Sequence, residues 1–361
     1  AEYFACSCGE AIAAAMPPLA MSDRGRNRAS GFKYEKVVHL SDLGRDACLG
    51  TPPSDLGQRQ RLTLRRLQQA SDGVPLSILR SEGIGTDSVN RLSRRGLVSV
   101  RSVQVERDPL GPEAVTQSAL IDADAERELT IQQKQAINEL TKLSEGNSFQ
   151  VALLHGVTGS GKTEVYLRLA QHMGTLGRSV LMLVPEIALT PAMVATFHGC
   201  FGRRVAIQHS GLSGGERHDQ WHRIRRGEVD IVIGTRSAVF APVENLGLII
   251  VDEEHDGSYK QEETPRYHAR SVAIIRAQQI GALVVLGSAT PSLESYQNTR
   301  TGRYQLVVMP ERVQQRPLPE VTVVDMRQET AILGTEVVLS RALREALELT
   351  AGLRYIKEEK R

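Results

Sequence analysis

Gly156-Val157-Thr158-Gly159-Ser160-Gly161-Lys162-Thr163 fits the phosphate-binding loop pattern at every fixed position, and the apolar run at residues 151–154 leads straight into it. Gly159 and Gly161 let backbone N–H groups curl around phosphate oxygens. A helix opening near Lys162 then aims its positive end at the same point. Gly156, Thr158 and Ser160 complete the expected nucleotide cradle. Lys162 is expected to neutralise the β- and γ-phosphates of ATP, and the Thr163 hydroxyl to ligate Mg²⁺.

Downstream, the apolar residues 248–251 deliver Asp252-Glu253-Glu254-His255 to the end of another expected strand, where open α/β sheets bind ligands. Alone, such an acidic pair is a solvated strand end. Paired with the glycine loop, it reads as Asp252 holding Mg²⁺ and Glu253 orienting and deprotonating an attacking water. Ser288 and Thr290, in Gly287-Ser288-Ala289-Thr290 after a further apolar run, are placed to bond His255 and couple the γ-phosphate site to a neighbouring surface; by itself this turn is equally a helix cap. Tyr259-Lys260-Gln261 and Arg266-Tyr267-His268-Ala269-Arg270 interleave aromatic and basic side chains, which suits single-stranded nucleic acid, although an ordinary polar loop has the same composition. Arg236, in Thr235-Arg236-Ser237, is a candidate phosphate grip or simply a turn residue, and Gln133 is a candidate adenine reader.

Apolar runs alternate with helical patterns from residue 129 onward, which predicts a parallel sheet covered on both faces: an α/β, RecA-like phosphate-loop lobe. Thr190 with Pro191, and Ser213 with Glu216, are helix-start signals inside it. Before it, residues 56–108 read as three short helices and a hairpin turning at Arg101-Ser102, the outline of a small winged-helix domain. Thr86 is expected to cap the third helix, which would present Arg91, Arg94 and Arg95 to DNA; a solvated basic face or a protein-binding surface fits the same residues. Residues 23–55 and 109–128 are expected linkers, the first containing a short strand at Lys33–Leu40, and 1–22 the remnant of a further DNA-binding domain.

The 361 residues carry a net charge of only +2, with the basic excess in the N-terminal third. No apolar run reaches the length of a membrane span, and the expected setting is cytoplasmic, with no membrane partner and a monomeric chain. Cys6, Cys8, Cys48 and Cys200 form no CxxC pair.

Five further strings carry a family resemblance. They are Leu183-Val184-Pro185-Glu186-Ile187-Ala188-Leu189-Thr190-Pro191, His209-Ser210-Gly211-Leu212-Ser213, Ile233-Gly234-Thr235-Arg236-Ser237-Ala238-Val239-Phe240-Ala241-Pro242, the stretch 252–269, and Gly287-Ser288-Ala289-Thr290-Pro291-Ser292-Leu293-Glu294-Ser295. In order, they resemble the PriA-type replication-restart helicases of superfamily 2, strongly over 129–327, more weakly over 56–107, and faintly over 1–20. The resemblance implies ATP-driven 3′→5′ unwinding of forked and single-stranded DNA, and partnership with primosome proteins and single-strand DNA-binding protein. It also implies that residues 259–270 couple DNA contact to hydrolysis; Ser271 stands where the family pattern has Asp. Residues 328–361 are then the start of a second motor lobe. The family's completing arginines and two-zinc cysteine cluster are not found in this stretch, so weak ATP binding without unwinding is the expectation for it alone. A nonmotor fork-binding module is the alternative. A nucleotide kinase shares the loop but leaves Glu253 without a task.

Overall fold

The computed structural model describes residues 6–16, 32–49, 56–70, 72–105, 107, 109, 128–146, 148–313, 321–333 and 338–358. Most of the expected linker at 109–128, the connector after Pro17-Pro18 and the Tyr3-Phe4 pair lie outside them. Two compact units divide the chain, residues 1–313 and 314–361.

The larger unit holds two sheets. The first, near the N-terminus, has three strands: β1 (Lys33–Leu40), β2 (Val74–Pro75) and β3 (Val98–Val105). The second has seven: β4 (Gln150–Gly156), β5 (Ser179–Leu183), β6 (Val205–Gln208), β7 (Ile231–Gly234), β8 (Leu246–Val251), β9 (Leu283–Ser288) and β10 (Gln305–Met309). Every pairing in the second sheet is parallel, in the spatial order β10-β4-β9-β8-β5-β7-β6. A parallel sheet needs crossover helices, and these cover both faces. Alternate strand residues therefore feed two separate cores. One holds Leu154, Tyr166, Met182, Phe197 and Ile250; the other holds Leu153, Leu183, Val251, Tyr259 and Leu286. The predicted α/β sheet is thus present, and β6 and β10 extend it at its two edges beyond the strands expected from hydrophobicity.

Local signals set several helix starts. Thr130 and Gln133 form a capping box at Ile131–Glu145, Thr190 accepts from the Met193 N–H with Pro191 in the first turn, and Ser213 and Glu216 cap Gly214–Arg225. Thr86 departs from expectation. Gly85 takes the cap position, and the Thr86 hydroxyl accepts from the Arg80 guanidinium instead.

The N-terminal part needs a larger correction. Residues 98–105 are not a hairpin: β3 is one strand, paired antiparallel along its whole length with β1. Arg101 lies opposite Val37 in mid-strand rather than at a turn. The expected short strand at Lys33–Leu40 is present, but it is the central strand of the small sheet rather than part of a linker, and a helix follows it at Asp42–Leu49. A slip in alternation marks a turn only if the two halves pair with each other, and here a distant segment pairs with both. Leu64, Leu67, Leu79, Val89, Leu92 and Val38 close this small core.

Arg107, Phe32 and Ala15 fasten the N-terminal elements to the helix Gly214–Arg225. Arg107 pairs with the buried Asp219 at 3.2 Å, Phe32 packs against the His218 and His222 rings at 4.7 and 4.8 Å, and the Trp221 indole N–H donates to the Ala15 carbonyl at 3.3 Å. In the second unit, the helices Met326–Leu333 and Arg341–Glu358 are joined by an ion pair of Arg341 with Glu329 at 3.1 Å.

Candidate active site

Strand β4, next to the edge strand β10, ends at Gly156 and the helix Lys162–Thr175 follows, so the phosphate loop is strung between the sheet and the helix lying on it. Gly159 and Gly161 have φ of 82° and 81°, the left-handed region that side chains resist. At Gly161 a Cβ would also run into the Gln133 amide. Main-chain bonds brace the loop from outside: the Val157 N–H donates to the Met309 carbonyl at 3.1 Å and the Val313 N–H to the Gly159 carbonyl at 2.9 Å.

Gln133 belongs to that bracing. Its Oε1 accepts from the Thr130 N–H at 2.9 Å and its Nε2 donates to the Ser160 carbonyl at 3.3 Å. Both ends of this buried amide are engaged, so Gln133 holds the loop.

The acidic residues face the loop across the carboxyl ends of the strands. Lys162 is buried; its Nζ donates to the Gly156 carbonyl at 3.0 Å and lies 3.5 Å from Glu253 Oε1. Asp252 Oδ1 accepts from the Tyr166 hydroxyl at 2.8 Å. Burial pushes the Asp252 carboxyl above its ordinary range, and the Tyr166 hydrogen bond only partly offsets this. Glu253 adopts φ of 43°, an uncommon conformation for a non-glycine residue. Main-chain bonds on both sides hold it there, from the Asp252 N–H to the Leu183 carbonyl at 2.9 Å and from the Glu254 N–H to the Gly287 carbonyl at 3.0 Å.

These groups fit a magnesium-bound triphosphate. A buried lysine spends its charge on a carbonyl and one carboxylate, a half-buried carboxyl has its pKa raised, and the buried Ser160 hydroxyl has no partner among the described residues. Each is a deficit that a polyanion carrying a divalent cation would satisfy. Thr163, exposed at the second position of the loop's helix, stands clear of the core for that role. Among the described residues no cluster of His, Cys, Asp and Glu resembles a further metal site.

His255 lies where it was expected. Its Nδ1 is 2.8 Å from the Ser288 hydroxyl, its Nε2 is 3.3 Å from the Thr290 hydroxyl, and Glu253 Oε2 is 3.7 Å away. No sequence signal marks Glu254 for the role it plays: it is fully buried and ties three segments together. Its carboxylate accepts from the Ser292 N–H at 2.7 Å and the Ser295 hydroxyl at 2.9 Å, and it pairs with Arg270. Burial alone would raise this carboxyl, but the Ser292 amide, Arg270 and Ser295 outweigh it and leave the group below its ordinary range.

The aromatic and basic segment that follows is not what its composition implied. Tyr259 is fully buried, with its hydroxyl 2.6 Å from the Asp252 carbonyl oxygen and 3.0 Å from that of Leu183. Tyr267 is buried too, edge-on to Phe240 at 4.9 Å. Neither ring offers a face to a base, because the strand-end core claims both. Arg270 is held by Glu254 and Ser292 rather than turned outward. Arg236 donates to the Ser258 and Lys260 carbonyls at 3.1 and 2.7 Å, so it pins this segment. Lys260 and Arg266 are exposed, His268 is half-buried, and Arg91, Arg94 and Arg95 form an exposed basic edge in the N-terminal part.

A phosphate loop and an acidic strand end meeting on a seven-stranded parallel sheet define a RecA-like helicase lobe, and residues 130–299 match the DEAD/DEAH box helicase family. Within that class the chain resembles the replication restart proteins PriA. It is 44% identical over 326 residues to replication restart protein PriA of Bacillus subtilis (strain 168), covering 90% of this chain and 38% of that protein. With PriA of Synechocystis sp. it shares 45% identity over 304 residues, 82% of this chain and 35% of the relative. The chain thus spans well under half the length of these curated relatives. A solved structure of RecG bound to a three-way DNA junction is 23% identical, covering 59% of this chain and 27% of its own, with a TM-score of 0.42.

Proposed function

We propose that the chain supplies the ATP-binding motor lobe of a PriA-type DNA helicase acting in replication restart. The observation that carries this reading is the apposition of Lys162 and Glu253 at 3.5 Å, with Asp252 beside them, at the carboxyl edge of the sheet. Thr163 and Asp252 would hold Mg²⁺, which when bound shields the charge on the phosphates. Lys162 would leave the Gly156 carbonyl for phosphate oxygens. Glu253, released from Lys162, would orient a water and take its proton. His255, bonded to Ser288 and Thr290, would carry the state of that glutamate to the segment after β9.

For DNA, the exposed set Lys260, Arg266, Arg91, Arg94 and Arg95 supports phosphate contact, with His268 beside it. Forked and single-stranded DNA are the proposed ligands, and primosome proteins and single-strand DNA-binding protein the proposed partners. Titrating a labelled fork with and without ATP, beside a Lys162→Ala variant, tests the reading. DNA affinity that responds to ATP and loses that response in Lys162→Ala supports a motor lobe. Affinity indifferent to nucleotide in both proteins favours a nonmotor fork-binding module instead.

A further inference from the structure

The helix Lys162–Thr175 meets the acidic motif twice. Lys162, in its first turn, faces Glu253, and Tyr166, one turn later on the same face, faces Asp252. Tyr166 is fully buried, and its hydroxyl is spent on Asp252 Oδ1 at 2.8 Å. The neighbouring strand makes room for that bond. Gly287 in β9 stands so close that a Cβ there would overlap the Tyr166 hydroxyl and lie 2.9 Å from its Cζ. Glycine at 287 is thus required by the tyrosine, not by its own backbone, which has no positive φ. Tyr259 holds the other end of the same residue through the Asp252 carbonyl oxygen.

We infer that Tyr166 is a positioning residue that holds the Asp252 carboxylate in its metal-receiving orientation, and that Gly287 exists to admit it. This rests on the reading of Asp252 as a Mg²⁺ ligand. A hydroxyl donating to a carboxylate is a charge-assisted bond with directional preference, and it fixes the orientation of the group that accepts it. It is the metal-site analogue of the outer partners that orient ligating side chains elsewhere, whose loss weakens metal affinity by about 10–100-fold.

The test uses the full chain and a fluorescent ADP, titrated with and without Mg²⁺, for wild type, Tyr166→Phe, Gly287→Ala and the double variant. Thermal melts report folding. Tyr166→Phe is expected to keep its Mg²⁺-free ADP affinity within about twofold while needing about tenfold more Mg²⁺ for half-maximal tightening. Gly287→Ala should act in the same direction, and the double variant should be no worse than the poorer single one, since both disturb the same hydrogen bond. If Gly287→Ala does not fold, Tyr166→Phe decides alone. An unchanged or lowered Mg²⁺ requirement in Tyr166→Phe overturns the inference, as does an equal loss of affinity with and without Mg²⁺. No Mg²⁺ effect in wild type would instead sink the underlying reading of Asp252, and the inference with it.

Discussion

The phosphate loop and the segment from Gly257 to Arg270 border the same two carboxylates, yet they are built on opposite principles. The loop is backbone chemistry: glycines at positive φ, main-chain amides, and one lysine that local helix geometry places. The segment is side-chain chemistry, and its character depends on which rings the strand ends bury. Tyr259 and Tyr267 would serve DNA if exposed, but the structure spends them on Asp252, Leu183 and Phe240. The segment therefore reaches the two acids through its core, and Lys260 and Arg266 are the basic side chains of its exposed surface.

The contrast is most severely tested on the loop side. Glu253→Gln should lower ATP turnover by about 10²–10⁴-fold with nucleotide affinity largely kept, as for loss of a general base; steady-state phosphate release with a binding control checks it. Asp252→Asn should also lower turnover, and it should raise stability. A carboxyl raised in the native state costs stability once pH climbs past its unfolded value, so the amide should melt higher than wild type near pH 8 without nucleotide.

Next is Glu254, which ties the segment to β9. Glu254→Ala leaves Arg270 without its buried partner and should cost about 3–5 kcal/mol, read by urea unfolding. Glu254 is held below its ordinary range, so its stabilisation is full above the unfolded carboxylate pKa and is lost as pH falls through the lower native value. Glu254→Gln should flatten that acid limb.

Smaller still, Tyr259→Phe should cost about 1 kcal/mol for the lost hydroxyl bond and leave DNA affinity unchanged. A large loss of DNA binding there would restore the stacking role and erase the contrast between the two regions. The mildest change is expected from Lys260→Ala and Arg266→Ala. Affinity for single-stranded DNA should fall a fewfold in each, with a salt slope about 0.7 shallower for every phosphate the side chain no longer neutralises.

Features legible in the sequence were locally encoded. Thr190-Pro191 and Ser213 with Glu216 announce helix starts within four residues, and His255 met Ser288 and Thr290 because both sit at ends of adjacent parallel strands. Features that were not legible depended on a partner far along the chain. Val98–Val105 has the pattern of a hairpin because nothing nearby shows that Lys33–Leu40 pairs with all of it. Tyr166 carries no signal of its own, since a tyrosine on an amphipathic helix is ordinary until Asp252 and Gly287 are brought beside it.

Residue order alone was enough to expect a triphosphate-binding loop, a parallel α/β sheet to carry it, and Asp252 and Glu253 beside it, because glycine spacing, strand hydrophobicity and helix caps act over a few residues. Which tyrosines are structural, which arginines are paired and what Gln133 holds became visible only in the packed molecule. Burial and hydrogen-bond partnership are properties of neighbours in space, and a polar side chain has no role until packing chooses whether water or another residue satisfies it.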